Sequence, residues 1–202
     1  EVQAILDAPD PRTRLGIRDR AMFHVAFCGG LRASEIVGLR TDDLTLNPTS
    51  IFVRGKGRRE RSLPLWKETA AALRAWLAIR GDLAVPELFV NSRGHQMSRW
   101  GVAYVLSKHV TTASKVCPSL LKKQVSPHVI RHTCAMFTLQ ATQDIRKVAL
   151  WLGHSDPATT VVYTRTDPSE KLEAIETIVP TQLRKGRFRP PDKLLDLLRS
   201  KP

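Results

Sequence analysis

Apolar positions recur at helical spacing along most of the 202-residue chain, interrupted by one short alternating stretch. EVQAILDAP at the start already reads as a helix in progress, so the chain is expected to be part of a longer polypeptide. From Ile17 to Cys28 the residues Ile17, Ala21, Val25 and Cys28 share one face, and Gly29 and Gly30 stop the helix. Ala33, Ser34, Glu35 and Ile36 favour a new helix, which puts Arg32 at its N-terminal end, where backbone amides attract anions. Ile51, Phe52 and Val53 form a β-branched and aromatic run, and the chain returns with Arg59, Arg61, Leu63 and Leu65 in alternation. This pattern predicts a hairpin with Lys56 at or near its tip.

Lys67 to Arg80 is Ala-rich and helical, with Leu73, Trp76, Leu77 and Arg80 on one side and Gly81 as its end. Leu88 to Val90 reads as a strand, and Ser98 caps a helix through about Thr112. Trp66, Trp76 and Trp100 are assigned to the core rather than to base stacking, the commoner fate of aromatic residues at helical spacing. Ser126 as N-cap and Pro127 at the first helical position open the next helix. Its apolar face is expected at Ile130, Cys134, Phe137 and Ala141, leaving His128, Arg131 and His132 on the adjacent polar side. Ile145, Val148, Ala149 and Leu152 define a further helix closed by Gly153, and Asp156 with Pro157 starts a short one carrying Tyr163. Beyond Thr166 follow a helix over Ser169 to Ile178, a basic stretch with Arg184, Lys185, Arg187 and Arg189, and a terminal helix opened by Pro191. Leu194, Leu195, Leu197 and Leu198 are nearly the only apolar surface of that last helix, which needs its own chain or a neighbouring protomer to dock on.

The pattern predicts a mainly α fold with a small antiparallel hairpin or three-stranded sheet (α+β). Residues 1–179 are expected to form one catalytic domain and 180–202 a basic tail with a short amphipathic helix. Hydrophobic residues make up 42% of the chain, enough for one substantial core or two small ones. Lys and Arg number 32 against 19 acidic residues, and the net charge of +13 implies a polyanionic partner, with nucleic acid the leading candidate. No apolar run approaches the roughly 20 residues of a membrane span, and no signal peptide opens the sequence. Cys28, Cys117 and Cys134 lack CxxC spacing and sit among apolar residues, which fits buried, reduced thiols in the cytoplasm.

The stretch from Ser126 to Tyr163 concentrates the chemistry, with SPHVIRH followed by LGHSDPATTVVYTR. His128 and Arg131, three apart near a helix N-terminus, can face one phosphate together; singly, each would read as a structural His and a surface Arg. His128 and His132 have the spacing of a helical zinc pair, but Val129 stands where a metalloprotease helix carries its Glu, and no third ligand converges on them. No metal and no other cofactor is expected. His154 follows a helix-ending glycine that can turn the ring into a cleft. Tyr163, a phenol with a reference pKa of about 10, needs cationic neighbours to react, and Arg32, Arg131 and His154 are candidates to supply them.

Taken together, GLRASEI, GKGRRER, HVIRH and LGHSDPATTVVYTR resemble, in order and spacing, the successive catalytic boxes of the tyrosine recombinases of the phage-integrase type. The resemblance covers residues 15–165 and implies the catalytic-domain fold of that family. It makes Arg32 and Arg131 the pair that holds the scissile phosphate and Tyr163 the nucleophile that forms a 3′-phosphotyrosine link. It makes His128 the proton acceptor, Lys56 the general acid for the leaving 5′ oxygen and His154 a hydrogen-bond donor to the phosphate. Glu35 matches a supporting acidic position and His132 a supporting one beside the catalytic pair, while Arg54, Arg58, Arg59 and Arg61 are expected to touch the DNA backbone. The implied activity is site-specific cleavage and rejoining of double-stranded DNA without metal or ATP, in the prokaryotic cytoplasm at the nucleoid. The implied assembly has two protomers on each site, four in the synapse, accessory proteins and no membrane. The family usually adds an N-terminal helical domain that clamps the opposite face of DNA, and no segment here matches it. Three other functions fit parts of the pattern: a type IB topoisomerase, a phosphodiesterase that hydrolyses its intermediate, and a noncatalytic DNA-binding module. Supercoil relaxation without strand exchange, free nicked product and absence of a covalent adduct would reveal them in turn.

Overall fold

Helix α2 (Arg14–Gly29) lies at the centre of the fold, with 12 of its 16 residues buried. It is buried on most sides because other elements surround it, and the polar Arg18, Asp19 and His24 are buried along with its apolar residues. Thr13 opens it, its hydroxyl accepting the Gly16 N–H at 3.0 Å. Gly30 closes it in the left-handed conformation (φ 56°), where a Cβ would stand 2.5 Å from Leu152 Cδ2. The computed structural model describes residues 1–46, 49–55 and 60–153. The chain divides into two units, Glu1–Tyr163 and Thr164–Pro202, and every described residue belongs to the first.

Around α2 pack α1 (Val2–Asp7), α4 (Lys67–Arg80) and α6 (Pro127–Thr142); α5 (Arg99–Ala113) joins α1 and the short α3 (Ala33–Gly38), and α7 (Ile145–Leu152) lies on α6. Strands β1 (Leu44–Leu46), β2 (Thr49–Arg54) and β3 (Glu60–Pro64) form an antiparallel sheet in that order. The expected mainly α fold with a small three-stranded sheet is thus the observed one. Ile51 pairs with Leu63 and Val53 with Arg61 across β2 and β3, so Ile51, Val53 and Leu63 bury one face of the hairpin. Beneath α2, Arg18 donates to the Val90 carbonyl at 2.8 Å and pairs with Asp19, whose Oδ2 lies 2.9 Å from His109 Nε2. This buried polar chain ties α2 to α5 and to the segment after α4, and no pattern in the sequence announced it.

Several expectations need correction. Leu88 to Val90 is buried but is no strand, because its backbone finds other partners: the Leu88 N–H donates to the Leu39 carbonyl, and Trp76 Nε1 donates to the Leu88 carbonyl at 2.8 Å. Trp76 is core, but Trp66 is half exposed and Trp100 is 84% exposed, with Tyr104 one turn further along α5 at 73%. Helical spacing identified these residues as apolar but not what would cover them. On α6 the buried face is Arg131, Cys134, Ala135 and Leu139, whereas Phe137 and Ala141 face outward. Phe137 meets Phe27 edge-on with ring centroids 5.7 Å apart, and Phe27 also meets Trp66. Cys28 and Cys134 are buried as expected, but Cys117 is only partly covered. Burial pushes the Cys134 thiol up to about 11 and raises that of Cys28. The predicted helices beyond Gly153, including the one carrying Tyr163 and the Leu-rich terminal one, lie outside the described residues.

Candidate active site

Four chain segments converge where α2 ends, and local sequence explains each. Gly30 turns the chain out of α2, so Leu31 can bury itself and Arg32 can become the N-cap of α3. Glu35, at the third position of α3, reaches back: its Oε2 accepts the Arg32 backbone N–H at 3.0 Å and its Oε1 the Arg32 guanidinium at 2.9 Å. Ser126 caps α6, its hydroxyl accepting the Val129 N–H, with Pro127 behind it as expected. His128 is therefore held on the exposed first turn of α6 and Arg131 one turn deeper. Asp144 caps α7 through the Arg146 N–H at 2.8 Å, and Gly153 ends α7 in the left-handed conformation (φ 64°).

Arg131 is only 3% exposed, contrary to its expected place on the polar side of α6. Its guanidinium is affordable inside the protein because it donates to two helix-end carbonyls, Gly30 at 2.5 Å and Leu152 at 2.8 Å. Glu35 Oε2 lies 3.8 Å away. Arg131 thus fastens the end of α2, the end of α7 and the start of α6 to one another. Leu152 and Cys134 close the same junction from the apolar side, against the space where a Gly30 side chain would go.

Glu35 is the common acceptor at this junction. Besides the bonds from Arg32 and the nearby charge of Arg131, it receives two bonds from Arg61 on β3, Nη1 to Oε1 at 3.2 Å and Nη2 to Oε2 at 3.0 Å. Burial alone would raise the Glu35 carboxyl. The hydrogen bonds from Arg61 and the Arg32 amide, with the charges of Arg61 and Arg131, outweigh that effect and hold it below the ordinary carboxylate range. It is therefore ionised at neutral pH, and one negative charge offsets part of three positive ones. Arg32, 42% exposed, keeps part of its guanidinium turned toward solvent. Burial lowers the His132 imidazole, and the neighbouring His128 lowers it further, so His132 is neutral at pH 7.

The structure therefore brings together Arg32, Glu35 and Arg131, while His128 lies one turn before Arg131 on α6 and His132 directly after it. Arg54 pairs with Asp43 and lies over the Phe52 ring at 5.3 Å, with half its side chain exposed. Arg61, expected to touch the DNA backbone, has a side chain only 10% exposed, and its guanidinium points inward to Glu35. Alternation carried the signal, because Arg61 is two residues before Leu63 and so shares its buried face. Lys56, Arg58, Arg59, His154 and Tyr163 lie outside the described residues. Among the described residues no group of three or more His, Cys, Asp or Glu could hold a metal ion, and no helix is long and apolar enough to cross a membrane.

A site with three guanidiniums around one carboxylate, and an exposed His128 one turn before Arg131 on α6, suits binding of an anionic phosphate group. The chain is similar in sequence to known recombinases. The chain is 45% identical over 203 residues to y4rC of Sinorhizobium fredii, assigned as an integrase/recombinase, covering 99% of this chain and 60% of that one. It is 40% identical to the tyrosine recombinase XerC of Myxococcus xanthus, covering 89% and 61%. The chain thus spans about three fifths of the length of these curated relatives. The crystal structure of XerA recombinase superposes with a TM-score of 0.74 at 27% identity, over 89% of this chain and 63% of that one. Residues 1–170 match the phage integrase family, and the chain belongs to that family as a tyrosine recombinase catalytic domain.

Proposed function

We propose that this chain is the part of a site-specific recombinase that cleaves and rejoins DNA strands. The observation that carries the reading is Arg131, buried between the Gly30 and Leu152 carbonyls, next to the carboxylate that also holds Arg32. Two fixed guanidiniums favour the phosphorane-like transition state, in which negative charge builds on the nonbridging oxygens. On this reading the Tyr163 phenolic oxygen attacks phosphorus in line and its proton passes to His128. The bond from phosphorus to the 5′ oxygen breaks, and Lys56 protonates that oxygen. His154 donates a hydrogen bond to the phosphate. The phosphotyrosine keeps the phosphodiester's free energy, so the 5′ hydroxyl of another strand can reverse the step and exchange partners without ATP.

The net charge of +13 supports double-stranded DNA as the partner, and related recombinases have been crystallised on DNA substrates, as the XerH complex with difH has. Arg54, Arg58 and Arg59 are the proposed backbone contacts. We further propose a catalytic domain over residues 1–179 with a basic tail over 180–202, two protomers on each site, four in the synapse, and action in the prokaryotic cytoplasm with accessory proteins. A suicide substrate nicked beside the cleavage point tests the chemistry. Wild type should form a covalent protein–DNA adduct that Tyr163→Phe does not. Identical behaviour of the two proteins would refute the proposal.

A further inference from the structure

Arg61 is the residue for which charge and placement disagree. It belongs to a basic hairpin, yet its side chain is 10% exposed and its guanidinium contacts point inward. Nη1 and Nη2 grip both oxygens of Glu35, and Nε donates to the Trp151 carbonyl at 3.1 Å, at the C-terminal end of α7. Its side chain also packs on Gly153, where a Cβ would stand 3.0 Å from Nη1 and 3.2 Å from Cδ. One side chain therefore spans β3, the start of α3 and the end of α7. These are the elements that carry Glu35 and the Leu152 carbonyl, which in turn orient Arg32 and Arg131.

We propose that Arg61 is a positioning residue for the two phosphate-binding arginines and not a contact to DNA. It holds Glu35 ionised and oriented, so that the carboxylate presents Arg32 outward while Arg131 stays between its two carbonyls. It also pins the end of α7 against the sheet, next to the point where the chain proceeds to His154. The planar fork satisfies Glu35 with two nitrogens and Trp151 with the third, which the single ammonium of Lys does not reproduce. The proposal rests on the recombinase reading above, and its test separates the two.

Single-turnover cleavage of the nicked suicide substrate, at saturating protein, yields the rate constant and amplitude of adduct formation, and gel shifts in a salt series yield affinity and its salt slope. Arg61→Gln should lower the rate constant by about ten- to a hundredfold, the scale of a displaced catalytic group, with affinity and salt slope unchanged. Arg61→Lys should recover part of that loss. Glu35→Gln should lower the rate constant by a similar factor, and adding Arg61→Gln to it should change the rate little, since both act through one contact. If Arg61→Gln instead weakens binding, reduces the salt slope and leaves the rate constant on bound DNA intact, Arg61 is a backbone contact and the proposal is overturned. A loss confined to amplitude, with a wild-type rate constant in the remaining active fraction, also overturns it, because a merely structural role does only that. If Arg61→Gln does not fold, Arg61→Lys and Glu35→Gln decide by the same readouts. Failure of wild type to form any adduct refutes the recombinase reading itself.

Discussion

Replacing Glu35 by Gln removes one negative charge from the midst of three guanidiniums while nearly keeping the side-chain volume. The amide retains one acceptor oxygen, but its NH2 must then face nitrogens that only donate. Removing one partner of a buried ion pair costs about 3–5 kcal/mol. The bond to Arg32 contributes no more than about 1 kcal/mol of this, because that guanidinium is 42% exposed and screened. Most of the cost falls on the Arg61 pair, with side chains 10% and 3% exposed, so about 3 kcal/mol is expected. For a domain of this size that corresponds to a fall in Tm of about 6–12 °C. The pH dependence follows from the sign of the shift. The folded carboxyl titrates below the unfolded one, so its contribution is complete above the unfolded value of about 4.3 and disappears as pH falls through the folded value. Gln does not titrate. Denaturant unfolding of wild type and Glu35→Gln should therefore differ by a constant amount from about pH 8 to pH 5, and the gap should shrink below about pH 4. A gap under about 1 kcal/mol at pH 7, or one that widens on acidification, would refute the account of Glu35 as the charge that holds this junction.

Gly30→Ala should destabilise by about 2 kcal/mol or more, from the left-handed backbone and the 2.5 Å approach of Leu152. Gly38→Ala, with open space at its Cβ, should be neutral or slightly stabilising in the same denaturation assay, and equal effects would count against the reasoning. In the native protein at pH 8, iodoacetamide should label Cys117 well before Cys28 and Cys134, whose thiols are buried and raised, as peptide mass spectrometry can follow. Tyr163→Phe should bind DNA as wild type does and form no adduct, and Arg61→Gln should slow adduct formation at unchanged affinity.

Much of the fold could be read from short-range signals. The starts of α5 and α6 follow from Ser98 and from Ser126 with Pro127, and the ends of α2 and α7 from glycines next to them, because capping involves atoms only three or four residues apart. The hairpin followed from alternation in the same local way. The family, too, was legible, since its boxes are contiguous runs of residues. The same locality explains the errors. Trp100 and Phe137 have the spacing of core residues, but whether a partner covers them depends on elements far away in the chain.

By itself the sequence determined the helical class, the cap positions, the surplus of positive charge and which residue types are available for phosphate chemistry. Only the tertiary structure decided what each arginine does. Arg131 is buried because the Gly30 carbonyl, 101 residues away, accepts from it, and Arg61 turns inward because Glu35 lies 26 residues upstream. A guanidinium carries the same charge whether it meets DNA or a carboxylate. The partner is chosen by which groups the packed chain leaves within hydrogen-bond reach, and by the cost of leaving a buried carboxylate without them.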